Sequence, residues 1–214
     1  MTQNKRRDKS KKRAAILEGA IDVFINMGYE LASMNKIAET AGVSKRTVYN
    51  HFGSKENLFQ AIVDDFLAQR QSLKTIKYDA EKSLKEQLLL FANAEIFLID
   101  SPRRLGLSRF LAKVFLQDIN YAINTVAKYP PKYDMLLDWL KEAEKDGKIN
   151  TDDLILTASM FYALIEGAIS WPAIFSYGIN KSAVQTVLDE IIDTFLTRYS
   201  NAFRGMESYK NEGY

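Results

Sequence analysis

The sequence predicts an all-α protein in which a small N-terminal domain is joined by a long helix to a larger C-terminal helical bundle. Apolar residues recur at helical spacing along most of the 214 residues. Residues that cap or end helices stand at the limits of these periodic segments. The sequence contains no convincing run of alternating strand residues, no repeat and no low-complexity stretch. These observations favour a wholly helical fold.

Two short helices are predicted first. One runs from about Lys11 to Met27, where Gly28 supplies a left-handed stop. Ser33 is expected to cap the second helix, and Gly42 to end it at a tight turn. The residues expected on their buried faces are Ile16, Ala20, Val23, Phe24, Met27, Ile37 and Ala38.

The next two helices follow closely. Ser44 is expected to cap a third helix of about two turns, whose buried side carries Val48 and Phe52. Ser54 is expected to cap a fourth helix, which extends toward Thr75 and is long enough to link two domains. Its apolar residues are Leu58, Phe59, Ile62, Val63, Phe66 and Leu67.

Five more helices are predicted after Lys77. They cover about 81–99, 102–126 with a bend near Asp118, 131–146, 152–175 and 181–203. The signals at their ends are the caps Ser101, Thr151 and Asn180, the first-turn residue Pro102 and the stop Gly147.

Composition narrows the class of protein. A hydrophobic content of 47% with 26% charged residues is typical of a soluble globular chain. No apolar run approaches the roughly 18 to 20 uninterrupted residues that a membrane-spanning helix needs. The basic N-terminal segment leads into an amphipathic stretch rather than the apolar core of a signal peptide. We therefore expect a cytoplasmic protein without a membrane partner.

An enzyme is disfavoured by the residues that are present. The chain has one histidine and no cysteine, which excludes disulfides, thiol catalysis and thiolate metal sites. It also lacks a phosphate-cradling glycine loop and any His-Glu-x-x-His pattern. We expect no catalytic residue, no cofactor and no metal.

Charge is distributed unevenly. Up to Lys55 there are 11 Lys and Arg against 5 Asp and Glu, and beyond it 18 against 22, so a net +6 precedes a net −4. A basic head on an acidic body is typical of nucleic-acid binding, because neutralised phosphates release condensed counterions. A solvated basic tail is the alternative.

Residues 42–59, GVSKRTVYNHFGSKENLF, carry the functional signal. If Val48 and Phe52 point inward, the third helix presents polar side chains on its exposed arc. Arg and Lys donate to guanine or to phosphate, Asn pairs with adenine, and the Thr methyl contacts thymine. The residues on that arc and its flanks are Lys45, Arg46, Thr47, Tyr49, Asn50 and His51. Lys55 opens the next helix, where free N–H groups favour a phosphate.

The three short helices followed by VSKRTVYNHFGSKENLF resemble the DNA-binding domain of TetR-family transcription regulators over about residues 11–60. The resemblance implies a basic arm at 1–10, a helix-turn-helix domain at 11–54, a connecting helix at 55–77 and a regulatory and dimerisation domain at 78–214. It implies a repressor located with the nucleoid. The predicted partner is double-stranded operator DNA with a palindromic or nearly palindromic sequence, which the resemblance does not identify.

The resemblance also implies contacts for individual residues. Lys45, Arg46, Thr47 and Asn50 would face bases or nearby phosphates. Tyr49, His51 and Lys55 would hold phosphates. Asn35 and Lys36 on the second helix are further candidates. Packing or plain surface exposure is the alternative for His51, and the basic arm either reaches along the groove or is simply solvated.

The last two predicted helices suggest a homodimer. Between Leu154 and Trp171 apolar residues lie on nearly every face, which indicates a helix covered by its own domain and by a second copy. The predicted interface residues are Phe161, Ile165, Ile169, Val187, Ile191 and Phe195. Such a dimer would place two recognition helices roughly 34 to 36 Å apart. A thick monomeric core is the alternative.

The regulatory domain is expected to bind a small apolar or amphipathic effector. Its predicted lining is Phe91, Phe97, Phe110, Phe115, Tyr121, Trp139 and Glu166. The same residues could simply form a helical core. Control by a protein partner, or no response to a ligand at all, is the alternative to an effector.

Overall fold

The computed structural model describes residues 2–71, 76–131, 133–176, 178 and 180–201. No strand occurs in that part of the chain, where one isolated antiparallel bridge joins Ile149 to Ser200. The predicted all-α class is confirmed. The chain forms two compact units, one made of residues up to Gln69 with Arg109–Asp118, and the other of Arg70–Ser108 with the residues from Ile119 onward.

Unit 1 contains the predicted short helices. They are α1 (Thr2–Leu31), α2 (Met34–Thr40), α3 (Lys45–Phe52) and most of α4 (Lys55–Gln71). The predicted start of α1 at Lys11 is wrong, because the backbone is already helical at Thr2. Lys, Arg and Gln have high helix propensity, so this segment is helical. It lacks the apolar face on which the prediction relied. Thr75 lies outside the described residues.

Serine caps and glycines fix the ends of these helices as predicted. Ser33 accepts the Lys36 N–H and Ser44 accepts the Thr47 N–H, both at 3.2 Å. Ser54 accepts a backbone N–H of α4 at 3.1 Å. The predicted stop Gly28 interrupts α1 with a φ of 78°, and helical residues continue after it to Leu31. The predicted stop Gly42 follows α2 with a φ of 65°, and side chains with a Cβ rarely adopt either value.

An aromatic cluster forms much of the unit 1 core. Phe24 stacks on Tyr29 and on Phe110, with ring centroids 5.7 and 5.6 Å away, and meets the edge of Phe59 at 5.9 Å. Such contacts stabilise beyond the apolar area they bury. Phe110 therefore packs in the core of unit 1, and its predicted place in an effector site stays a prediction.

The α1 and α2 backbones approach closely at Gly19. A Cβ at this position would lie 2.9 Å from the backbone nitrogen of Ala41. The predicted buried faces of α1 to α4 are confirmed except at Met27, which is exposed, and at Phe66 and Leu67, which are half-buried. The spacing of apolar residues predicts which side of a helix faces the core, but not how much of that side the neighbouring helix covers.

Unit 2 is built from the remaining helices. They are α5 (Leu84–Phe97), the first half of α6 (Pro102–Gln117), α7 (Ile119–Val126), α8 (Asp134–Lys145), α9 (Leu154–Ile165), α10 (Trp171–Phe175) and α11 (Lys181–Tyr199). The predicted bend at Asp118 is confirmed by the break between α6 and α7. The predicted end of the last helix at Phe203 falls outside the described residues.

The unit 2 caps follow the prediction with one correction. Ser101 and Asn180 cap α6 and α11, and Gly147 ends α8 with a φ of 69°. Thr151 does not cap α9. Asp153 does so instead, accepting the N–H groups of the next helical turn at 2.9 and 3.0 Å. A carboxylate is the stronger acceptor at a helix N-terminus because the dipole favours negative charge there.

A π-helical segment, Glu166–Ser170, joins α9 to α10. By length and composition alone, the 22 residues of Leu154–Phe175 are long and apolar enough to cross a membrane. Core helices of soluble proteins can have the same length and composition. This one carries Phe161, Ile165 and Ile169 into the unit 2 core.

Candidate nucleic-acid interface

The α3 helix presents the side chains that the sequence predicted at its surface. Val48 and Phe52 are buried, which fixes the orientation of the helix. The exposed residues are Lys45, Arg46, Tyr49 and Asn50. The Thr47 hydroxyl lies 2.8 Å from that of Ser44, and Thr47 is half-buried. A cationic and amide-bearing surface of this kind matches the acceptors of a DNA groove.

Two contacts organise the edge of this surface. The Lys45 ammonium lies 5.8 Å from the centroid of the Tyr49 ring. On α2, Asn35 and Lys36 are exposed, and Lys36 pairs with Glu39 at 2.9 Å. An exposed pair of this kind contributes little to stability, so Lys36 can exchange its partner for a phosphate.

The basic start of α1 lies beside the end of α3, which the sequence reasoning missed. Arg13 sits over the Phe52 ring, with its guanidinium carbon 5.4 Å from the ring centroid. Lys9 and Lys12 of the same segment are close enough to act electrostatically on His51. Nothing in the sequence pattern links residues so far apart, because the contact depends on how α1 packs on α3. The cationic surface therefore extends beyond the helix-turn-helix.

His51 is half-buried within this basic environment. Desolvation, followed by the charges of Lys9, Arg13 and Lys12, lowers the pKa of His51 from its ordinary value of 6.5. The imidazole is therefore neutral at pH 7, when it can either donate or accept a hydrogen bond. Because the unfolded chain takes up this proton first, folded-state stability falls as the pH drops through about 6.5 and below.

Lys55 makes contacts inside unit 1. Its ammonium donates to the carbonyl oxygens of Tyr29 at 2.9 Å, Ala32 at 3.2 Å and Glu30 at 3.4 Å. It also lies 4.4 Å from the centroid of the Tyr29 ring. The predicted phosphate ligand thus sits at the C-terminal end of α1.

The predicted effector-site residues do not form one group. Phe91 and Trp139 are buried in the unit 2 core with their rings in contact, and their assignment to a ligand site stays a prediction. The Trp139 indole N–H donates to Gln87 at 3.0 Å. Arg104 lies 3.7 Å above the ring of Phe97, which is exposed. The remaining three, which are half-buried, are Phe115, Tyr121 and Glu166.

Most of the predicted dimer residues lie in the core of the chain's own unit 2, and their role in an interface stays a prediction. Five of them are at most 7% exposed: Phe161, Ile165, Ile169, Ile191 and Phe195. Val187 is half-buried. The sequence pattern showed that α9 is apolar on several faces but not which face its own domain covers. The apolar side chains left exposed along Leu154–Phe175 are Ile155, Leu156, Met160, Trp171 and Phe175.

The geometry defines a helix-turn-helix protein of the DNA-binding class. Among the residues described, no cluster of three or more His, Asp or Glu side chains could hold a metal ion. Residues 16–62 match the TetR family of bacterial regulatory proteins, and residues 86–201 match the C-terminal domain of AefR-like transcriptional repressors. The second match spans more than half of the chain. The chain therefore belongs to the TetR family and is a DNA-binding transcription regulator.

Individual relatives agree with this assignment. The chain is 28% identical over 153 residues to the uncharacterized HTH-type regulator YvkB of Bacillus subtilis, covering 71% of this chain and 78% of YvkB. It is 39% identical over 77 residues to the repressor AcnR of Corynebacterium diphtheriae, covering 36% and 38%. A TetR-family regulator structure from Pseudomonas syringae superimposes with a TM-score of 0.71 at 28% identity, over 89% of this chain and 98% of that one.

The single histidine makes its electrostatic environment directly measurable. In an NMR pH titration of the free protein, we expect His51 to titrate with a pKa below 6.5. Lys9→Gln should raise this pKa, since it removes the largest of the repulsive charges. Lys11→Gln, which changes an exposed lysine of the same helix, is the matched control and should leave the titration unchanged. An unperturbed His51 in the wild type would show that α1 does not pack beside α3 as described.

Proposed function

We propose that the chain is a homodimeric repressor that binds operator DNA through α3 and releases it when a small-molecule effector binds. The observation that carries the proposal is the polar arc of α3, oriented by two buried residues and surrounded by the basic part of the chain. Net positive charge at this end attracts DNA of any sequence, and the α3 side chains then select among sequences. We place this activity in the cytoplasm, on nucleoid DNA.

Roles on the DNA follow from side-chain chemistry. We assign base recognition to Arg46 and Asn50, because both are exposed and can form paired hydrogen bonds with base edges. We assign backbone contacts to Lys45, Tyr49 and His51, with Asn35 and Lys36 on α2 as additional ligands. Thr47 faces the groove only in part, since its hydroxyl is engaged with Ser44.

The assignment predicts two kinds of DNA-binding defect. Asn50→Ala should cost about 1 to 3 kcal/mol on the preferred sequence and relax base preference at one position. Tyr49→Phe removes only a hydroxyl donor, so it should weaken binding to every sequence by the same factor. Both are measured by fluorescence anisotropy on fragments selected from genomic DNA and on single-base variants of them.

Lys128→Met is the matched control, because it removes a charge from an exposed position in unit 2. Its affinity and base preference should equal those of the wild type. If Asn50→Ala and Tyr49→Phe both bind every fragment normally, α3 is not the reading helix and the proposed docking is wrong.

The dimer surface that we propose is the exposed apolar stripe of α9 and α10. Leu156, Met160, Trp171 and Phe175 are 55%, 41%, 44% and 74% exposed, a set of large apolar side chains that water does not favour. Between them Gly167 leaves space around its backbone. The 22 residues of Leu154–Phe175 span roughly 33 Å at the helical rise of about 1.5 Å per residue.

A second copy is the occupant that this stripe suits best. A long exposed apolar helix face packs well against its own symmetry mate, because an isologous interface pairs like with like. The small residues at its centre would allow two helices to approach closely. Two helix-turn-helix units held together would bind both halves of a palindromic site.

Charge placed on this stripe should separate the dimer. Met160→Glu is expected to give a monomer in analytical ultracentrifugation, because a carboxylate would be buried without a partner. Its affinity for the selected palindromic fragment should fall by at least tenfold while the circular dichroism spectrum stays helical. Leu90→Glu makes the same change at an exposed apolar residue of α5 and should remain dimeric. A dimeric Met160→Glu protein, or a monomeric wild type, contradicts the proposal.

Repression, as opposed to activation, rests on the C-terminal match to AefR-like transcriptional repressors. Relatives matched over 33% and 38% of their length are a named activator, FasR of Mycolicibacterium smegmatis, and a named repressor, AcnR, so these matches do not decide the sign of regulation. Three of the predicted effector-site residues in unit 2 are partly accessible to solvent: Phe97, Tyr121 and Glu166. They suit a small amphipathic compound.

Effector binding has a thermodynamic signature. A compound that releases operator must bind the DNA-free conformation more tightly, so it should raise the thermal stability of the free protein. By linkage, saturating operator must lower the compound's affinity by the same factor. A compound library screened by operator release and thermal shift tests this, with a random duplex of equal length as control. If no compound both stabilises the free protein and releases operator, regulation by a protein partner or none is favoured.

A further inference from the structure

We propose that Lys55 is a positioning residue, which holds together the two ends of the helix-turn-helix segment. The segment 33–54 carries α2 and α3. Ala32 immediately precedes it and Lys55 immediately follows it. The Lys55 ammonium donates to the Ala32 carbonyl oxygen at 3.2 Å, so one side chain closes the base of the whole segment. This role goes beyond the proposed function.

The contacts of Lys55 account for its entire donor capacity. An ammonium group has three protons. Three carbonyl oxygens, of Tyr29, Glu30 and Ala32, lie 2.9 to 3.4 Å from the nitrogen. The Tyr29 ring adds a cation–π contact at 4.4 Å. A phosphate could be bound only if at least one of these acceptors were given up.

The carbonyl groups that Lys55 binds need a donor. Tyr29 and Glu30 belong to the last turn of α1, after the non-helical Gly28, and Ala32 follows that helix, so their backbone oxygens have no continuing helix to donate to them. Removing the ammonium leaves these part-buried oxygens without their charged donor. Hydrogen bonds to a charged donor are about twice as strong as neutral ones.

Closure at this point constrains α3. Phe52 at the end of α3 is separated from Lys55 by only Gly53 and Ser54. At the other end, α2 begins at Met34, two residues after Ala32. The adjoining Tyr29 hydroxyl reaches Glu56 at 3.3 Å, which reinforces the same junction. Without the Lys55 link, α2 and α3 would sample more orientations, and ordering them on DNA would cost affinity.

Lys55→Met and Lys55→Gln in the full chain test this role. The measurements are hydrogen–deuterium exchange of peptides from α2 and α3, and affinity for a selected DNA fragment as a function of salt. We expect Lys55→Met to speed exchange in these helices about tenfold and to weaken binding. The slope of log K against log salt should change by less than about 0.3, against about 0.9 for a lost phosphate contact.

The glutamine variant separates hydrogen bonding from charge. Its amide can donate to two carbonyls but is neutral, so it should recover part of the exchange protection and part of the affinity. If Lys55 instead binds phosphate, glutamine should bind DNA as poorly as methionine, and both should lose about 0.9 of the salt slope with unchanged exchange. That result overturns the proposal. Should Lys55→Met not fold, the glutamine variant gives the same comparison.

Lys45→Met is the matched control, because it removes an exposed lysine of α3 that makes no backbone contact among those described. It should leave exchange unchanged and reduce the salt slope. Peptides from α8 to α11 should exchange as in the wild type in every variant. If the wild-type chain binds no duplex DNA, the proposed function fails, and the exchange data alone still decide whether Lys55 holds the segment.

Discussion

The recognition helix depends on burial of one side of a helix too short to stand alone. At eight residues, α3 is far below the length at which an isolated helix is stable in water. Val48 and Phe52 supply the tertiary contact that holds it, and Ser44 satisfies its first N–H groups. Every exposed side chain of α3 takes its direction from those two buried residues. The orientation of the proposed DNA-facing surface is therefore fixed by packing in the unit 1 core.

The features predictable from sequence were local ones. Caps at Ser33, Ser44 and Asn180, the glycine turns and the outward side of α3 all follow from spacings within a few residues, and all were confirmed. Failures came where the answer lies in another part of the chain. Phe110 was expected in the C-terminal domain because its sequence neighbours are there, and the periodicity of α9 did not identify which of its faces the chain's own helices cover.

The charged residues show the same division between local features and those that depend on distant parts of the chain. The excess of Lys and Arg before Lys55 was visible in the sequence, yet the sequence did not show which of those charges act together. Lys9, Lys12 and Arg13 combine on His51 because α1 packs beside α3, whereas Lys55 turns toward backbone carbonyls and away from this cluster. Equal charges in one segment thus have different surroundings. The DNA contacts themselves stay predictions.

The aromatic cluster around Phe24 has a consequence for how the chain can be divided. Phe110 reaches this cluster from α6, whose first half lies in unit 2. The chain thus passes between the units at Gln69, Ser108 and Asp118, and the DNA-binding unit is discontinuous in sequence. A fragment ending at Gln69 would carry the whole family motif and still lack one wall of its core. Autonomy of the motif in sequence does not imply autonomy in folding.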